Sequence, residues 1–208
     1  MKRHIHVALL TLAALAPLVA QTPQGWKMRV DRSTAASDPD AAGDIKFVTM
    51  GSGFHATNPK AAVYWNPANT ADGAYTLKGT FTLMKPSGHT NYYGLVFGGS
   101  GLEGAQQSYL YFVVAQNGTW LIKRRDGDAT SNVAPKTPSD AVRKPDDSGK
   151  STNALEVRVG ADKIDFVVNG TVVHTEPKGG ALAKTDGAYG IRVNHLLEVQ
   201  VDGLTVSK

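Results

Sequence analysis

The clearest pattern in the chain is a strict alternation of apolar and polar residues from Tyr75 to Leu83. Tyr75, Leu77, Phe81 and Leu83 alternate with threonines and a lysine, which predicts a strand with one buried and one polar face. Similar runs predict eleven further strands, at about 26–31, 45–50, 61–65, 91–98, 107–116, 119–124, 153–159, 162–168, 171–175, 187–193 and 197–206. After the first twenty residues we find no long stretch with apolar residues at helical spacing. Twelve short strands predict an all-β fold, a two-sheet antiparallel jelly-roll sandwich.

Two Asn-Gly pairs interrupt this alternation, Asn117-Gly118 and Asn169-Gly170. Each lies between two predicted strands, and Asn-Gly is the preferred pair where both residues of a tight turn have positive φ. We therefore expect a hairpin with a two-residue turn at each pair.

Two stretches do not alternate. Residues 31–44 are rich in Ala, Ser, Asp and Gly, which predicts a surface loop. Residues 126–152 contain Pro135, Pro138 and Pro145 among polar residues, too many ring-constrained and polar residues for a core element. We expect a long irregular loop over 126–152.

The first twenty residues have the layout of a secretory signal peptide. Lys2 and Arg3 precede an apolar run, and Ala20 precedes a polar segment, which predicts cleavage near Ala20. The 14 residues from Val7 to Ala20 are fewer than the roughly 20 that a membrane-spanning helix needs. We expect residues 21–208 to form a single jelly-roll domain without a membrane span, secreted or periplasmic.

The amino-acid composition excludes several kinds of functional site. The chain has no cysteine, which excludes disulfides, thiolate metal sites and cysteine nucleophiles. Its net charge of +4 falls to +2 without Lys2 and Arg3, and the run Lys123 to Arg125 is the one short basic cluster that stands out. We therefore expect no nucleic-acid partner.

The C-terminal half resembles a known superfamily. The strings Asn153 to Gly160, Lys163 to Val173, Gly187 to Val193 and Leu197 to Val206 are similar to the concanavalin A-like lectin and glucanase jelly roll. Within it they resemble the laminin-G-like domains and the bacterial secreted domain labelled a 3-keto-disaccharide hydrolase domain. The resemblance covers roughly residues 72–208 and implies carbohydrate as the partner.

The glucanases of that superfamily carry a Glu-x-Asp-x-x-Glu cluster on one strand, because retaining hydrolysis needs two carboxylates about 5–5.5 Å apart. This chain has no such cluster; its glutamates are Glu103, Glu156, Glu176 and Glu198. Glu198 and Asp202 would lie about 13 Å apart along an extended strand. The sequence therefore favours a protein without catalytic activity, and leaves a glycoside-type hydrolase open.

Sugar sites combine aromatic faces with a few polar groups that bind hydroxyls. If Leu110, Phe112 and Val114 fill the core, Tyr109 and Tyr111 share the opposite face of their strand. Aromatic residues are also favoured in strands as core residues, so that alternative stays open for the aromatic candidates. The candidate ligand-binding residues are Trp65, Tyr92, Tyr109, Tyr111, Trp120, Arg124 and Arg192.

Candidate acid–base and metal residues are few. His89, Asp140 and His195 are the candidates for catalysis, because each falls in a loop or next to a strand end. No two histidines after the signal peptide have the i, i+2 or i, i+4 spacing of a metal pair, so we expect no histidine metal site. Asp126 and Asp128 are candidate calcium ligands at the start of the 126–152 loop, and calcium is the one cofactor left open.

Three functions follow from these observations. The favoured one is a secreted carbohydrate-binding, lectin-like module. The alternatives are a glycan-active hydrolase of the 3-keto-disaccharide hydrolase-like type and a protein-adhesion module, since laminin-G-like domains serve adhesion.

Overall fold

A computed structural model describes residues 23–31 and 39–208, and the predicted signal peptide lies outside the described residues. Within them the regular secondary structure is nearly all strand. One 3₁₀ turn, Gly180–Leu182, interrupts the strands. The strands are β1 (Lys27–Val30), β2 (Lys46–Met50), β3 (Gly53–Asn58), β4 (Ala62–Ala71), β5 (Tyr75–Lys85), β6 (Tyr92–Ser100), β7 (Ser108–Ala115), β8 (Thr119–Asp126), β9 (Ala129–Pro138), β10 (Ser151–Val159), β11 (Lys163–Val168), β12 (Thr171–Pro177), β13 (Gly187–Val193) and β14 (Leu197–Ser207).

The strands form two antiparallel sheets of seven. The first sheet has the order β1-β4-β13-β6-β7-β8-β9, and the second has the order β12-β11-β10-β5-β14-β3-β2. This confirms the predicted all-β, two-sheet antiparallel jelly-roll sandwich. Among the described residues we find no helix that is both long and apolar enough to cross a membrane.

The core lies between the two sheets and follows the alternation of the sequence. In β5, Tyr75, Leu77, Phe81 and Leu83 are buried, while the threonines between them are less buried. Phe112 of the first sheet meets Phe166 of the second with ring centroids 5.2 Å apart, edge to face, a favoured geometry for aromatic pairs. Burying one such side chain contributes about 1.5–3 kcal/mol to the free energy of folding. Contacts of this kind hold the two sheets together.

All twelve predicted strands are present, and the structure has two further strands, β3 and β9, that the sequence pattern did not predict. The expected irregular loop over 126–152 is wrong in its first half, where residues 129–138 form β9. This strand is at the edge of the first sheet and pairs only with β8. An edge strand tolerates Pro135 and Pro138, because its open side needs no N–H donor, and its mostly exposed residues leave no apolar alternation. The other unpredicted strand, β3, was missed because it has only Phe54 and Ala56 as apolar residues.

The two Asn-Gly hairpins are both present but differ in their turns. Asn169 and Gly170 have φ of 49° and 84°, as predicted for a two-residue turn. At the other hairpin the connection from β7 to β8 is three residues long, and of Asn117 and Gly118 only the glycine has positive φ. The two-residue turn predicted at Asn117 is therefore wrong, and a three-residue loop with glycine in the left-handed position replaces it.

The Asn169 side chain also joins neighbouring segments, so we expect its substitution to lower the free energy of unfolding. Its amide donates to the carbonyl oxygen of Ala141 at 2.8 Å and to Oδ1 of Asn153 at 2.9 Å, and its Oδ1 accepts from the Ala154 N–H at 2.9 Å. We expect Asn169→Ala to lower the free energy of unfolding by about 2–4 kcal/mol, from lost hydrogen bonds and from the strain of a left-handed alanine.

Chemical denaturation measures this loss, and Asn169→Gly is the matched control. Glycine loses the hydrogen bonds but adopts the positive φ without strain, so it should be about 1 kcal/mol more stable than the alanine variant. Equal stability of the two variants would show that the backbone conformation carries no cost.

Candidate functional site

A second apolar cluster lies on the face of the first sheet that points away from the sandwich core, which we call the outer face. Its buried members are Val63, Trp65, Val96, Leu102, Tyr109, Tyr111, Val113 and Leu121. Leu110, Phe112 and Val114 fill the core, so the predicted placement of Tyr109 and Tyr111 on the opposite face is confirmed. A sandwich needs only one apolar face per sheet, and this second buried face therefore calls for a separate explanation.

Arg192 of β13 lies at the centre of the outer face and is itself buried. Its guanidinium forms an ion pair with the carboxylate of Asp31, which follows β1, and donates to the Tyr109 hydroxyl at 2.9 Å. The Arg192 Cζ is 5.0 Å from the centroid of the Tyr111 ring, a cation–π distance. Its Nε donates to Oδ1 of Asn194 at 3.1 Å. Two charges and two aromatic rings are thus held in one fixed arrangement.

Asp31 is the acidic partner of several groups on this face. The Tyr109 hydroxyl donates to its Oδ2 at 2.6 Å, and the guanidinium nitrogens of Arg125 and Arg29 lie 3.9 and 4.0 Å from its carboxylate oxygens. Burial alone raises the pKa of Asp31, but Arg192 and the Tyr109 hydroxyl outweigh it and hold that pKa below its usual value. The carboxylate is therefore ionised at neutral pH.

The two tyrosines stay neutral. Burial, the largest effect, raises the pKa of Tyr109 and of Tyr111, although Arg192 acts in the opposite direction. A neutral phenol can donate one hydrogen bond and accept others, and the Tyr109 hydroxyl does both, to Asp31 and from Arg192. The outer face therefore combines fixed donors, acceptors and ring faces.

Two cavities open beside Trp65 on the outer face. One, of about 470 Å³, lies between Trp65 and the loop from Gly99 to Gln106. The other, of about 370 Å³, is lined by Trp65, Leu102 and the β1 residues Lys27 to Arg29. Lys27 and Glu103 form an exposed ion pair of 2.6 Å there. Both cavities have the size of small-ligand sites.

The seven candidate binding residues divide into two groups. The structure brings five of them to the outer face: Trp65, Tyr92, Tyr109, Tyr111 and Arg192. Trp120 instead packs in the core against Phe112, with ring centroids 6.3 Å apart. Arg124 shares the core-facing side of β8 with Trp120 and donates to the Ala181 carbonyl at 3.0 Å. Trp120 and Arg124 therefore lie on the opposite side of β8 from Arg125, which reaches Asp31 on the outer face.

The two candidate calcium ligands contact arginines. Asp126 accepts from Nε of Arg124 at 2.6 Å and from the Ser108 hydroxyl at 2.6 Å, and Asp128 lies 3.7 Å from Arg125. Within residues 23–31 and 39–208 no three or more His, Asp or Glu side chains converge in a way that could hold a metal ion. Calcium binding at Asp126 and Asp128 remains a prediction.

Of the three candidate catalytic residues, the structure brings two together. The Nε2 atoms of His89 and His195 are 3.1 Å apart, whereas Asp140 lies exposed in the turn after β9. Within the part of the chain that the structure describes, Asp40 brings a carboxylate near the histidines, with its Oδ1 3.6 Å from Nδ1 of His195. Sequence reasoning missed Asp40 because no local pattern links it to residues so far along the chain.

The four glutamates of the chain are each next to a basic side chain. Glu103 pairs with Lys27, Glu156 with Arg158, Glu176 with His174 and Glu198 with His55, at 2.6–3.0 Å. These pairs are dispersed over both sheets. A retaining glycosidase places two carboxyl groups about 5–5.5 Å apart around the scissile bond, and the glutamates form no such pair.

No protein-family model and no curated protein sequence matches the chain, whereas many solved structures do. The carbohydrate-binding module CBM66 from Bacillus subtilis superposes with a TM-score of 0.60 at 10% identity, covering 88% of this chain and 96% of that one. A GH16 enzyme from Bacteroides ovatus that acts on mixed-linkage glucan gives 0.60 at 8% identity, with 90% and 97% covered. The endo-β-1,3-glucanase from Pyrococcus furiosus gives 0.56 at 11% identity, with 91% and 90% covered.

These similarities define the class of fold. The chain is a concanavalin A-like jelly-roll sandwich, and the resemblance seen in the sequence is confirmed at the level of the fold. At such low identity the neighbours establish the fold alone, because one fold carries many functions.

Proposed function

We propose that this protein is a carbohydrate-binding module, and that the outer face of the first sheet is its binding surface. The observation that carries the proposal is the arrangement around Arg192, in which a guanidinium, a carboxylate and two tyrosines are fixed on a sheet face that the core does not use. Sugar sites need aromatic rings and polar groups in fixed positions, and this buried cluster fixes the sheet face on which the cavities beside Trp65 open.

The two cavities beside Trp65 are the proposed ligand-binding space, on the same sheet face as the Arg192 cluster. Lys27 and Glu103 form the accessible rim, and the buried ring of Trp65 borders both cavities. We propose that a sugar unit occupies the cavities and that Arg192, Asp31 and the tyrosines hold the surrounding face in shape. The carbohydrate-binding module and the two glucan-active enzymes among the similar structures support this assignment.

We further propose that the protein works outside the cytoplasm as one domain of residues 21–208 after loss of residues 1–20. The sequence of that leader is the support for this part. N-terminal sequencing of the exported protein tests it, and a mature chain that still carries Lys2 and Arg3 would overturn it.

Binding to a panel of β-1,3-glucan, mixed-linkage β-glucan and alginate, measured by calorimetry and by thermal shift, tests the carbohydrate proposal. A ligand that binds only the native state raises its melting temperature in a dose-dependent way. For the glycan that binds, we expect Lys27→Ala and Glu103→Ala to weaken affinity about three- to tenfold, as loss of one partially exposed polar contact does.

Lys163→Ala is the matched control. Lys163 forms a similar exposed pair with Asp165 at 3.3 Å, beside a cavity on the second sheet. We expect this variant to bind like the wild type. Equal weakening by the Lys27 and Lys163 variants, or no binding of any glycan, would contradict the proposal, and the second outcome would favour the adhesion alternative.

The hydrolase alternative keeps one supporting observation, the contact of His89 with His195 near Asp40. The same samples distinguish the two functions when they are analysed for reducing ends. We expect stabilisation without product. Released product that disappears in His89→Ala would make the hydrolase the better assignment.

A further inference from the structure

Trp65 is buried although it borders both cavities of the outer face. Its exposed fraction is 4%, and the two cavities share Trp65, Leu102 and Glu103 in their linings. A sugar ring packs on the flat face of an aromatic side chain, so it needs a face of the indole that a ligand can reach. The free protein therefore covers the ring that the proposed sugar unit would contact.

Leu102 comes from the connection between β6 and β7 and packs into the apolar cluster that contains Trp65. Among the described residues, the other buried members of this cluster all lie on strands of the first sheet. Leu102 is 5% exposed, whereas Gly101 before it and residues 103–106 after it are exposed. One apolar side chain thus attaches an otherwise exposed loop to the outer face.

Arg29 of β1 also holds this loop. Its Nη1 donates to the carbonyl oxygen of Gly104 at 2.6 Å and to that of Leu102 at 3.4 Å. The nearby ion pair of Lys27 with Glu103 is exposed on both sides, and it adds little because solvent screens such pairs. Among the described contacts, those of Leu102 and Arg29 therefore contribute most to the position of the loop.

Both ends of the loop are fixed to the sheet. At the start, a Cβ on Gly99 would lie 2.9 Å from the Ala188 carbonyl oxygen, so β6 packs closely against β13 there. At the end, the Gln107 carbonyl accepts from the Gly127 N–H at 2.7 Å, and the Gln107 amide donates to the Gly127 carbonyl at 3.1 Å. Between these points Gly101 has a φ of 58°, which glycine adopts without strain. Fixed ends around a segment with few buried contacts are typical of a local opening motion.

We propose that the Trp65 ring is the central sugar subsite of the outer face, and that residues 101–106 form a lid over it that a glycan displaces. This inference rests on the proposed function. When Leu102 leaves the apolar cluster, the cavities of about 470 and 370 Å³ that it lines join into one groove beside Trp65. Each cavity alone has the size of a small-ligand site. The ligand class is therefore a glycan chain of at least two sugar units.

A lid of this kind has a defined effect on binding kinetics. Because the glycan binds only the open form, the observed affinity and association rate are both lowered by the fraction of molecules that are open. A change that weakens the closed form without altering Trp65 should therefore raise the association rate. The dissociation rate should stay the same, since the lid no longer covers Trp65 in the complex.

Stopped-flow tryptophan fluorescence tests the proposal with tetrasaccharides of β-1,3-glucan, mixed-linkage β-glucan and alginate, mixed with the protein one at a time. For the tetrasaccharide that binds, we expect Leu102→Ala and Arg29→Ala each to raise the association rate constant about three- to tenfold. The dissociation rate constant should not change. The matching monosaccharide should bind at least about tenfold more weakly, because it leaves one cavity empty. A monosaccharide that binds as tightly would contradict the ligand class.

Matched controls separate an opened lid from a general loss of stability. Leu182→Ala shortens a leucine that is as buried as Leu102 but lies in the sandwich core. Arg158→Ala removes an arginine that pairs with Glu156 on the second sheet. We expect both controls to bind at wild-type rates, and circular dichroism checks that every variant is folded. Faster dissociation of Leu102→Ala without faster association would show that Leu102 is a ligand contact and would overturn the lid.

Hydrogen exchange of the Trp65 indole N–H, measured by NMR without any glycan, distinguishes this inference from the proposed function. Exchange of a covered group is proportional to its open fraction, so the exchange rate in Leu102→Ala and Arg29→Ala should rise by the same factor as the association rate. Equal exchange in the wild type and both variants would overturn the lid and leave glycan binding at the outer face standing. Faster exchange in a chain that binds none of the glycans would keep the lid and overturn the proposed function, and with it the sugar subsite at Trp65.

Discussion

Asp31→Asn is expected to lower the free energy of unfolding at pH 7 by about 3–5 kcal/mol, the usual cost of removing one partner of a buried ion pair. The substitution keeps the shape of the side chain but leaves the buried guanidinium of Arg192 without a counter-charge. It also removes the charge that Arg125 and Arg29 face. Urea denaturation of the two proteins measures the difference.

Asp72→Asn is the matched control, because Asp72 forms an exposed ion pair with Lys208 at 2.6 Å. Solvent screens such pairs, so this variant should be as stable as the wild type. A double variant, Asp31→Leu with Arg192→Met, should lose much less than the sum of its single changes, since apolar pairs replace buried ion pairs at little cost. A loss below about 1 kcal/mol in Asp31→Asn would contradict this account of the cluster.

The same ion pair predicts a pH dependence with a definite sign. The pKa of Asp31 in the folded protein is lower than its ordinary value of 3.8, so the unfolded chain takes up the proton first as the pH falls. The stabilisation is fully present well above pH 3.8 and is lost as the pH falls below that value through the folded pKa. The difference between wild type and Asp31→Asn should therefore shrink below about pH 4, and a constant difference would contradict it.

Gly190→Ala is the second variant with a large expected effect. A Cβ at this position would lie 2.0 Å from the Tyr64 carbonyl oxygen and 3.1 Å from Cα of Trp65. Both contacts are backbone atoms of β4, and β13 is enclosed between β4 and β6, so neither strand can yield without breaking its pairing. We expect a loss of about 3 kcal/mol or more in the free energy of unfolding, at the upper end of the range for overpacking.

Gly179→Ala is the control for this prediction. Gly179 has an extended φ of −168°, and nothing lies within 4 Å of a Cβ built there. Its stability should stay within about 0.5 kcal/mol of the wild type, as for other surface changes. If Gly190→Ala unfolds at the same urea concentration as Gly179→Ala, the close approach of β13 to β4 is not a constraint in solution.

The strands and their faces could be predicted because they follow from local alternation. Leu110 and Phe112 point into the core, so Tyr109 and Tyr111 must share the other face. That parity rule holds for any extended strand. It could not show which face of β8 is buried, and for that reason Arg124 was a candidate where Arg125 occupies the position on the outer face. Strand β9 was missed because an exposed edge strand has no apolar side to reveal it.

The candidate site could be predicted only in part, because its key contacts are long-range. Arg192 and Asp31 are 161 residues apart in sequence, and Asp31 falls in a segment whose composition predicts a surface loop. Its burial depends on the pairing of β1 with β4, which in turn pairs with β13. His89, His195 and Asp40 likewise come from three separate segments. Single residues on one strand were predictable, whereas partners joined by strand order were not.

Trp65 offers the most direct test of glycan binding at the outer face. The chain has three tryptophans: Trp65 beside the two cavities, Trp120 in the core and Trp26 packed on Phe47 and Phe54. A ¹H–¹⁵N spectrum shows their indole N–H signals separately. On titration with the glycan that binds most tightly in the panel, the Trp65 signal should shift to saturation while the Trp120 signal stays in place. Saturable binding that leaves the Trp65 signal unmoved would contradict the assignment of the outer face as the binding surface.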